Sequence, residues 1–205
     1  MKLLRLLIIF FTLTGGLSAK VFWLGPAFTL GHGIYSGVGG DTTTLTGLGV
    51  GISAAYTAPD YKPIWFKFSL VKETQMIVNR SGQDDSSICQ SGFLNNFYKL
   101  PGECGALLWR ADVMYDLKWA TIGGGLALHA HGGFTFQKNR IVNSHFKQTT
   151  LSVLLAKKIM QPNGTMLLPA LRIERSIFFS QPVDNPESPV AWLFYLEFSS
   201  KWSIL

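Results

Sequence analysis

Several absences narrow the field before any motif is read. No apolar run reaches the roughly 20 residues that a membrane-crossing helix needs; a single short run lies at the very start. Charged residues make up 15% of the chain, against about 25% in soluble domains. With 47% hydrophobic residues, that poverty of charge excludes intrinsic disorder. No self-similarity of 20–50 residues is present, which excludes a solenoid. Glu-rich and His-Glu motifs of hydrolases are missing too. What remains is a 205-residue chain with 21 glycines, 13% aromatics and a mean hydropathy of +0.23. That length has room for one domain or two small ones.

The start of the chain reads as an address label. Lys2 and Arg5 supply positive charge, Leu6 to Leu13 form a short apolar segment, and Gly15, Gly16, Ser18 and Ala19 follow. This is the order of a cleavable signal peptide, with the cut after Ser18 or Ala19. Residues 1–19 are therefore set apart from a barrel domain expected over 20–205. Without Lys2 and Arg5 the formal net charge falls from +6 to about +4. That charge is dispersed, and nucleic acid is not expected as a partner, since it demands a concentrated basic patch.

Cys89 and Cys104 are the only cysteines. In an exported chain they can oxidise, and they bracket a polar stretch. Two free thiols or half a metal site are the rival readings. No histidine or second cysteine pair lies beside them, which favours the disulfide.

The rest of the chain alternates with period two, the signature of strands. In 46–56, Leu48, Val50, Ile52, Ala54 and Tyr56 share one face and oppose Gly47, Gly49, Gly51 and Ser53. In 106–119, Leu107, Trp109, Val113, Tyr115 and Trp119 oppose Arg110, Asp112, Asp116 and Lys118. The segments 121–137 and 192–202 alternate as well, and a fainter pattern covers 21–35, 63–74, 146–159 and 166–179. About eight strands result, each near the ~9–11 residues that a tilted membrane strand requires.

A soluble sandwich alternates too, with its apolar face turned inward. Three cues point the other way. The non-apolar face is glycine-, alanine- and serine-rich in two strands, which suits a narrow lumen. Aromatics gather toward the strand ends, with Phe22, Tyr56, Trp119 and Trp202 at one and Phe134, Phe136, Phe146, Phe179 and Trp192 at the other, as in interfacial girdles. The connections alternate in length: Ser36–Thr43, Gln75–Gly105, Gln137–His145 and Ser180–Pro189 are long, while those around Pro59-Asp60, Lys118–Ala120 and Pro162-Asn163-Gly164 are tight. The expected fold is all-β, a transmembrane antiparallel up-and-down β-barrel of about eight strands resembling small bacterial OmpA-type barrels, with a long outer loop at 75–105. Pro26 and Pro169 each remove a ladder donor and are expected to mark bulges. The C-terminal segment, with Trp192, Phe194, Leu196, Phe198 and Trp202 in phase, resembles the closing strand of such barrels, although the chain ends on Leu205 rather than an aromatic residue.

The inward register collects Lys67, Arg110, Asp112, Asp116, Lys118, His129, His131, Arg172, Glu174, Glu197 and Lys201. Eight strands enclose a space that side chains largely fill, so these charges must pair, with Arg110/Asp112 and Arg172/Glu174 as one network. A salt-bridged plug is favoured over an ion path. His129 and His131 face one side of a strand, but no third ligand stands near them, so no metal and no cofactor is expected.

A second reading rests on a partial resemblance. The run Gly25-Pro26-Ala27-Phe28-Thr29-Leu30-Gly31-His32 is similar to the first strand of the lipid A palmitoyltransferases. Gly49-Val50-Gly51-Ile52-Ser53, Trp65-Phe66-Lys67-Phe68 and Val190 to Phe198 are similar to later strands of that family. The resemblance implies a lipid A acyltransferase with His32 as base and Glu73-Thr74, or Asp85-Ser86, in place of the family's Asp-Ser pair. Lipid A deacylases place a His and a Ser two apart, where this chain has His129-Ala130-His131.

The leading expectation is non-enzymatic: a small barrel of the bacterial outer membrane, exported by its cleaved signal peptide. Its role is envelope-structural or surface-binding. Its partners are outer-membrane lipid or lipopolysaccharide and an external ligand at loops 75–105 and 180–189.

Overall fold

The computed structural model describes residues 22–36, 42–57, 63–80, 105–132, 135–137, 140–142, 145–180 and 190–203. Eight long strands form the wall. They are β1 (Phe22–Ser36), β2 (Thr42–Tyr56), β3 (Ile64–Arg80), β4 (Gly105–Asp116), β5 (Thr121–Gly132), β8 (His145–Ala156), β10 (Met166–Ser180) and β11 (Val190–Ser203). Two short strands, β6 (Thr135–Gln137) and β7 (Arg140–Val142), form a separate hairpin between β5 and β8. The two-residue β9 (Ile159–Met160) continues β8 and pairs with the start of β10.

Each long strand pairs antiparallel with its sequence neighbour, and β11 pairs with both β10 and β1. That last pairing closes an eight-stranded up-and-down barrel and leaves no free edge, so every wall strand has a partner on both sides. Burial alternates along the strands, strictly so on β4 from Ala106 to Tyr115. The apolar side chains of this alternation point outward: Phe28, Val50, Phe68, Trp109, Leu128, Leu151, Ile173 and Leu196 are all exposed. This is the inverse of a soluble sandwich. No helix among the described residues is long and apolar enough to cross a membrane.

The short connections lie at one end, called here the turn end. Leu117 N–H donates to the Ala120 carbonyl at 2.7 Å, closing β4 onto β5. At the next turn Gln161 N–H donates to the Thr165 carbonyl at 2.8 Å, and Asn163 Oδ1 accepts from Thr165 N–H. Gly164 there has φ +82°, a left-handed conformation that glycine adopts without steric cost. The long connections lie at the opposite, loop end.

Three boundaries differ from expectation. β3 runs on to Arg80, so the connection expected from Gln75 begins after that residue. It stays extended because β2 pairs with it up to Thr43↔Arg80, past a register shift between Thr44 and Leu45. The segment expected over 121–137 stops at Gly132, and residues 135–137 turn into the separate hairpin. Leu117, Lys118 and Trp119 belong to the turn, and Lys118 is exposed rather than in the lumen. Neither proline marks a bulge. The β1–β2 register is unbroken through Pro26↔Ile52, and β10–β11 through Pro169↔Phe198. The Pro169 carbonyl accepts from Lys157 N–H at 3.0 Å, so the ladder is kept by the group proline retains. The irregularity on β10 falls between Ser176 and Phe178 instead.

The aromatic pattern also needs correction. Phe146 and Phe179 are buried inside the barrel and belong to no girdle, whereas Trp192 and Trp202 are exposed outside. Phe134 lies outside the described residues.

Candidate functional site

The interior is layered. Toward the loop end, Tyr35, Leu45, Leu108, Phe146, Phe179 and Leu193 form a buried apolar cluster. Toward the turn end, Ala55, Trp65, Met114, Leu154, Met166 and Leu168 form a second one. Charged side chains occupy the space between.

That middle layer holds Lys67, Arg110 and Arg172 against Asp112, Glu174 and Glu197, all buried. Arg172 links three carboxylates. Its Nη2 donates to Asp112 Oδ2 at 2.5 Å, its Nε to Glu197 Oε1 at 2.6 Å, and its Nη1 lies 3.6 Å from Glu174 Oε1. Arg110 Nε donates to Glu174 Oε1 at 3.0 Å, and its Nη1 is 3.0 Å from Glu197 Oε1. Lys67 Nζ donates to Glu197 Oε2 at 2.5 Å. His129 Nε2 lies 2.6 Å from Glu174 Oε2, which also accepts from Thr150 Oγ1 at 2.7 Å. Removing six charges from water is costly, and only this density of paired, hydrogen-bonded contacts offsets it. The guanidinium of Arg110 also stacks on the Tyr195 ring, 4.2 Å from its centroid.

Of the residues expected in the lumen, Lys67, Arg110, Asp112, His129, His131, Arg172, Glu174, Glu197 and Lys201 are buried, whereas Asp116 is half-buried at the turn end and Lys118 is exposed. The expected Arg110/Asp112 and Arg172/Glu174 groups do form one network, but the partners cross. Arg110 pairs with Glu174, and Arg172 pairs with Asp112. His131 stands above the charges. Its Nδ1 is 3.0 Å from Gln75 Oε1, and its ring stacks on Phe146 at 4.2 Å and on His129 at 5.8 Å. Gln75 Nε2 in turn donates to Glu73 Oε1 at 2.9 Å. Glu73 reaches this place because Gly47 and Gly31 leave room for it: a Cβ on Gly47 would stand 2.2 Å from Glu73 Oε1. Among the described residues, Thr29 Oγ1, Ser69 Oγ and Arg110 Nη2 find no hydrogen-bond partner. They border an internal cavity of about 10 Å3, the room of one water.

His32 and the Glu73-Thr74 pair are not brought together. His32 is exposed on the outward face, where its Nδ1 lies 3.0 Å from Thr46 Oγ1. Glu73 is buried on the inward face, and Thr74, its neighbour in a strand, points the opposite way. A base and a carboxylate on opposite sides of one wall cannot share a proton. Asp85, Ser86, Cys89 and Cys104 lie outside the described residues, as do residues 1–21 and 181–189. Among the described residues no group of three metal-ligating side chains occurs.

Glu73, Gln75, Gln148, Thr150 and Ser152 were not among the expected lumen residues. The signal was present for each: Glu73 and Gln75 are in phase with Lys67, and Gln148, Thr150 and Ser152 alternate with exposed Lys147, Leu151 and Val153.

No protein-family model matches the chain, and no curated protein is a significant sequence match. The fold is similar to that of the outer-membrane protein AlkL, determined by solid-state NMR in DMPC bilayers. The TM-score is 0.52 and the identity 13%, over 92% of each chain. A major outer membrane protein from Thermus thermophilus aligns at a TM-score of 0.41 and 14% identity, over 86% of this chain and 98% of that one. The AlkL likeness agrees with the strand pairing described above: this chain has the fold of a bacterial outer-membrane β-barrel.

Proposed function

We propose that the protein is a small, non-enzymatic barrel of the bacterial outer membrane whose lumen is plugged. It stabilises the envelope or carries its long connections as a binding surface on the cell exterior. One observation carries the reading: a charge-balanced network of Lys67, Arg110, Arg172, Asp112, Glu174 and Glu197 lies buried between two apolar layers. An ion entering from either end would meet side chains packed against one another, and then charges that already satisfy one another. The outward apolar wall suits lipid, and lipopolysaccharide is the partner expected at its outer end. Residues 1–19 act as the cleaved signal peptide, and the connections over 81–104 and 181–189 present the site for an external ligand.

Reconstitution of the mature chain into planar bilayers tests the plug. The expected result is no steady conductance, and a stable open channel would overturn it. Lipid A recovered from cells with and without the protein should have the same mass. A step of one acyl chain would restore an enzymatic role.

A further inference from the structure

Two hydroxyls and one guanidinium nitrogen in the lumen are left over by the salt-bridge network. Arg110 directs its Nε to Glu174 and its Nη1 to Glu197, each at 3.0 Å. Its Nη2, Thr29 Oγ1 and Ser69 Oγ are buried and find no hydrogen-bond partner among the described residues. A buried polar atom left unmet is costly, and interiors rarely hold three of them side by side. All three belong to side chains that line the same internal cavity of about 10 Å3.

The strands explain why they meet. Thr29 of β1 stands opposite Glu197 of β11, and Ser69 of β3 stands opposite Arg110 of β4. Between β1 and β3 runs β2, which turns Gly49 and Gly51 inward at this level. A Cβ on Gly49 would stand 2.3 Å from Thr29 Oγ1, and one on Gly51 would stand 2.0 Å from the Leu70 carbonyl oxygen. The two glycines therefore leave open the space between the hydroxyls of β1 and β3.

Whatever fits this space must be about the size of a water and must both accept and donate. Arg110 Nη2 only donates, so it needs a lone pair, whereas the two hydroxyls take either role. Glu197 lines the cavity as well, and its carboxylate disfavours a small anion beside it. The Glu197 oxygens already accept from Arg172 and Lys67. A neutral molecule with three polar partners is the usual pattern of a buried water.

We propose that one water is bound here, accepting from Arg110 Nη2 and hydrogen-bonded to Thr29 Oγ1 and Ser69 Oγ. It joins β1 to β3 and β4 across the glycines of β2, and through it both hydroxyls enter the charge network. The site depends on the packing of the lumen and not on the role proposed for the barrel.

Crystals of the full mature chain grown from detergent give one test. A density peak within hydrogen-bond reach of all three atoms is expected, and it should persist in Thr29→Ser, which keeps the hydroxyl. No peak there, in a map that shows ordered water on the protein surface, overturns the site. So does an anomalous peak at that place in crystals grown with bromide, which would make the ligand a halide. Folding energetics give a second test. Thr29→Val and Ser69→Ala should each lower the folding equilibrium constant roughly fivefold in urea titration, and the double variant should fall well short of the roughly 25-fold product. Thr29→Val combined with Thr121→Val, whose hydroxyl donates to Asp116 at 2.8 Å at the turn end, should reach its product. A full product for Thr29→Val with Ser69→Ala means that the two hydroxyls act separately, and overturns the bridge.

Discussion

Arg172 and Asp112 meet across the barrel interior through two near-parallel bonds, Nη2 to Oδ2 at 2.5 Å and Nη1 to Oδ1 at 3.1 Å. Their strands, β10 and β4, are not neighbours; β5 and β8 lie between them in the wall. The pair therefore braces the barrel across its lumen, which no ladder bond can do. Asp112→Ala leaves a buried guanidinium with one carboxylate fewer and should cost about 3–5 kcal/mol. The double variant Asp112→Ala/Arg172→Ala should cost less than the sum of the singles. Urea titration of refolding into vesicles, run as a double-mutant cycle, measures both.

Gly47 and Gly132 provide a contrast in which the same substitution has opposite consequences. An alanine Cβ at Gly47 would stand 2.2 Å from Glu73 Oε1, whereas nothing lies within 4 Å of the corresponding position at Gly132. Gly47→Ala must displace Glu73 and disturb its bond with Gln75, at a cost of about 1–3 kcal/mol. Gly132→Ala should be neutral or stabilising by up to about 1 kcal/mol. The same urea titration, run on both variants, reads the difference.

Tryptophan fluorescence reads the inside-out arrangement directly. Trp65 is 1% exposed and Trp109 47%, on neighbouring strands. In vesicles containing brominated lipid, a variant retaining only Trp109 should be strongly quenched, and one retaining only Trp65 should not. Equal quenching of the two would contradict the assigned faces.

His32→Ala removes one exposed side chain and its contact with Thr46. Its expected cost is below about 1 kcal/mol, with no change in the acyl-chain count of lipid A. Stability and lipid A mass spectra of the same strain test both halves.

Much of the wall is legible because a strand's side chains alternate with period two, so Trp109 against Arg110 or Phe198 against Glu197 declares two faces without any tertiary information. The boundaries are less legible. β3 passes Gln75 and continues to Arg80 because β2 supplies a partner there, and local sequence does not record that pairing. Phe146 and Phe179 pass for girdle residues in the sequence because an aromatic side chain near a strand end suits either face. Their burial against Tyr35 and His131 follows from strand register alone. In the site implied by family resemblance, His32 and Glu73 have opposite parity relative to their strands, which keeps those two apart, while Asp85 and Ser86 lie outside the described residues.

By itself, the sequence determined the class of fold, through period-two alternation, the alternating lengths of the connections and the absence of a helical span. It also determined that lumen charges had to pair, since eight strands enclose too little space to hydrate them. Only the tertiary structure decided the partners. Arg110 takes Glu174 and Arg172 takes Asp112 because closure of β11 onto β1 fixes which strands stand opposite one another. Contacts across a closed barrel depend on the register of every strand between them, and that information is not local to any segment of the chain.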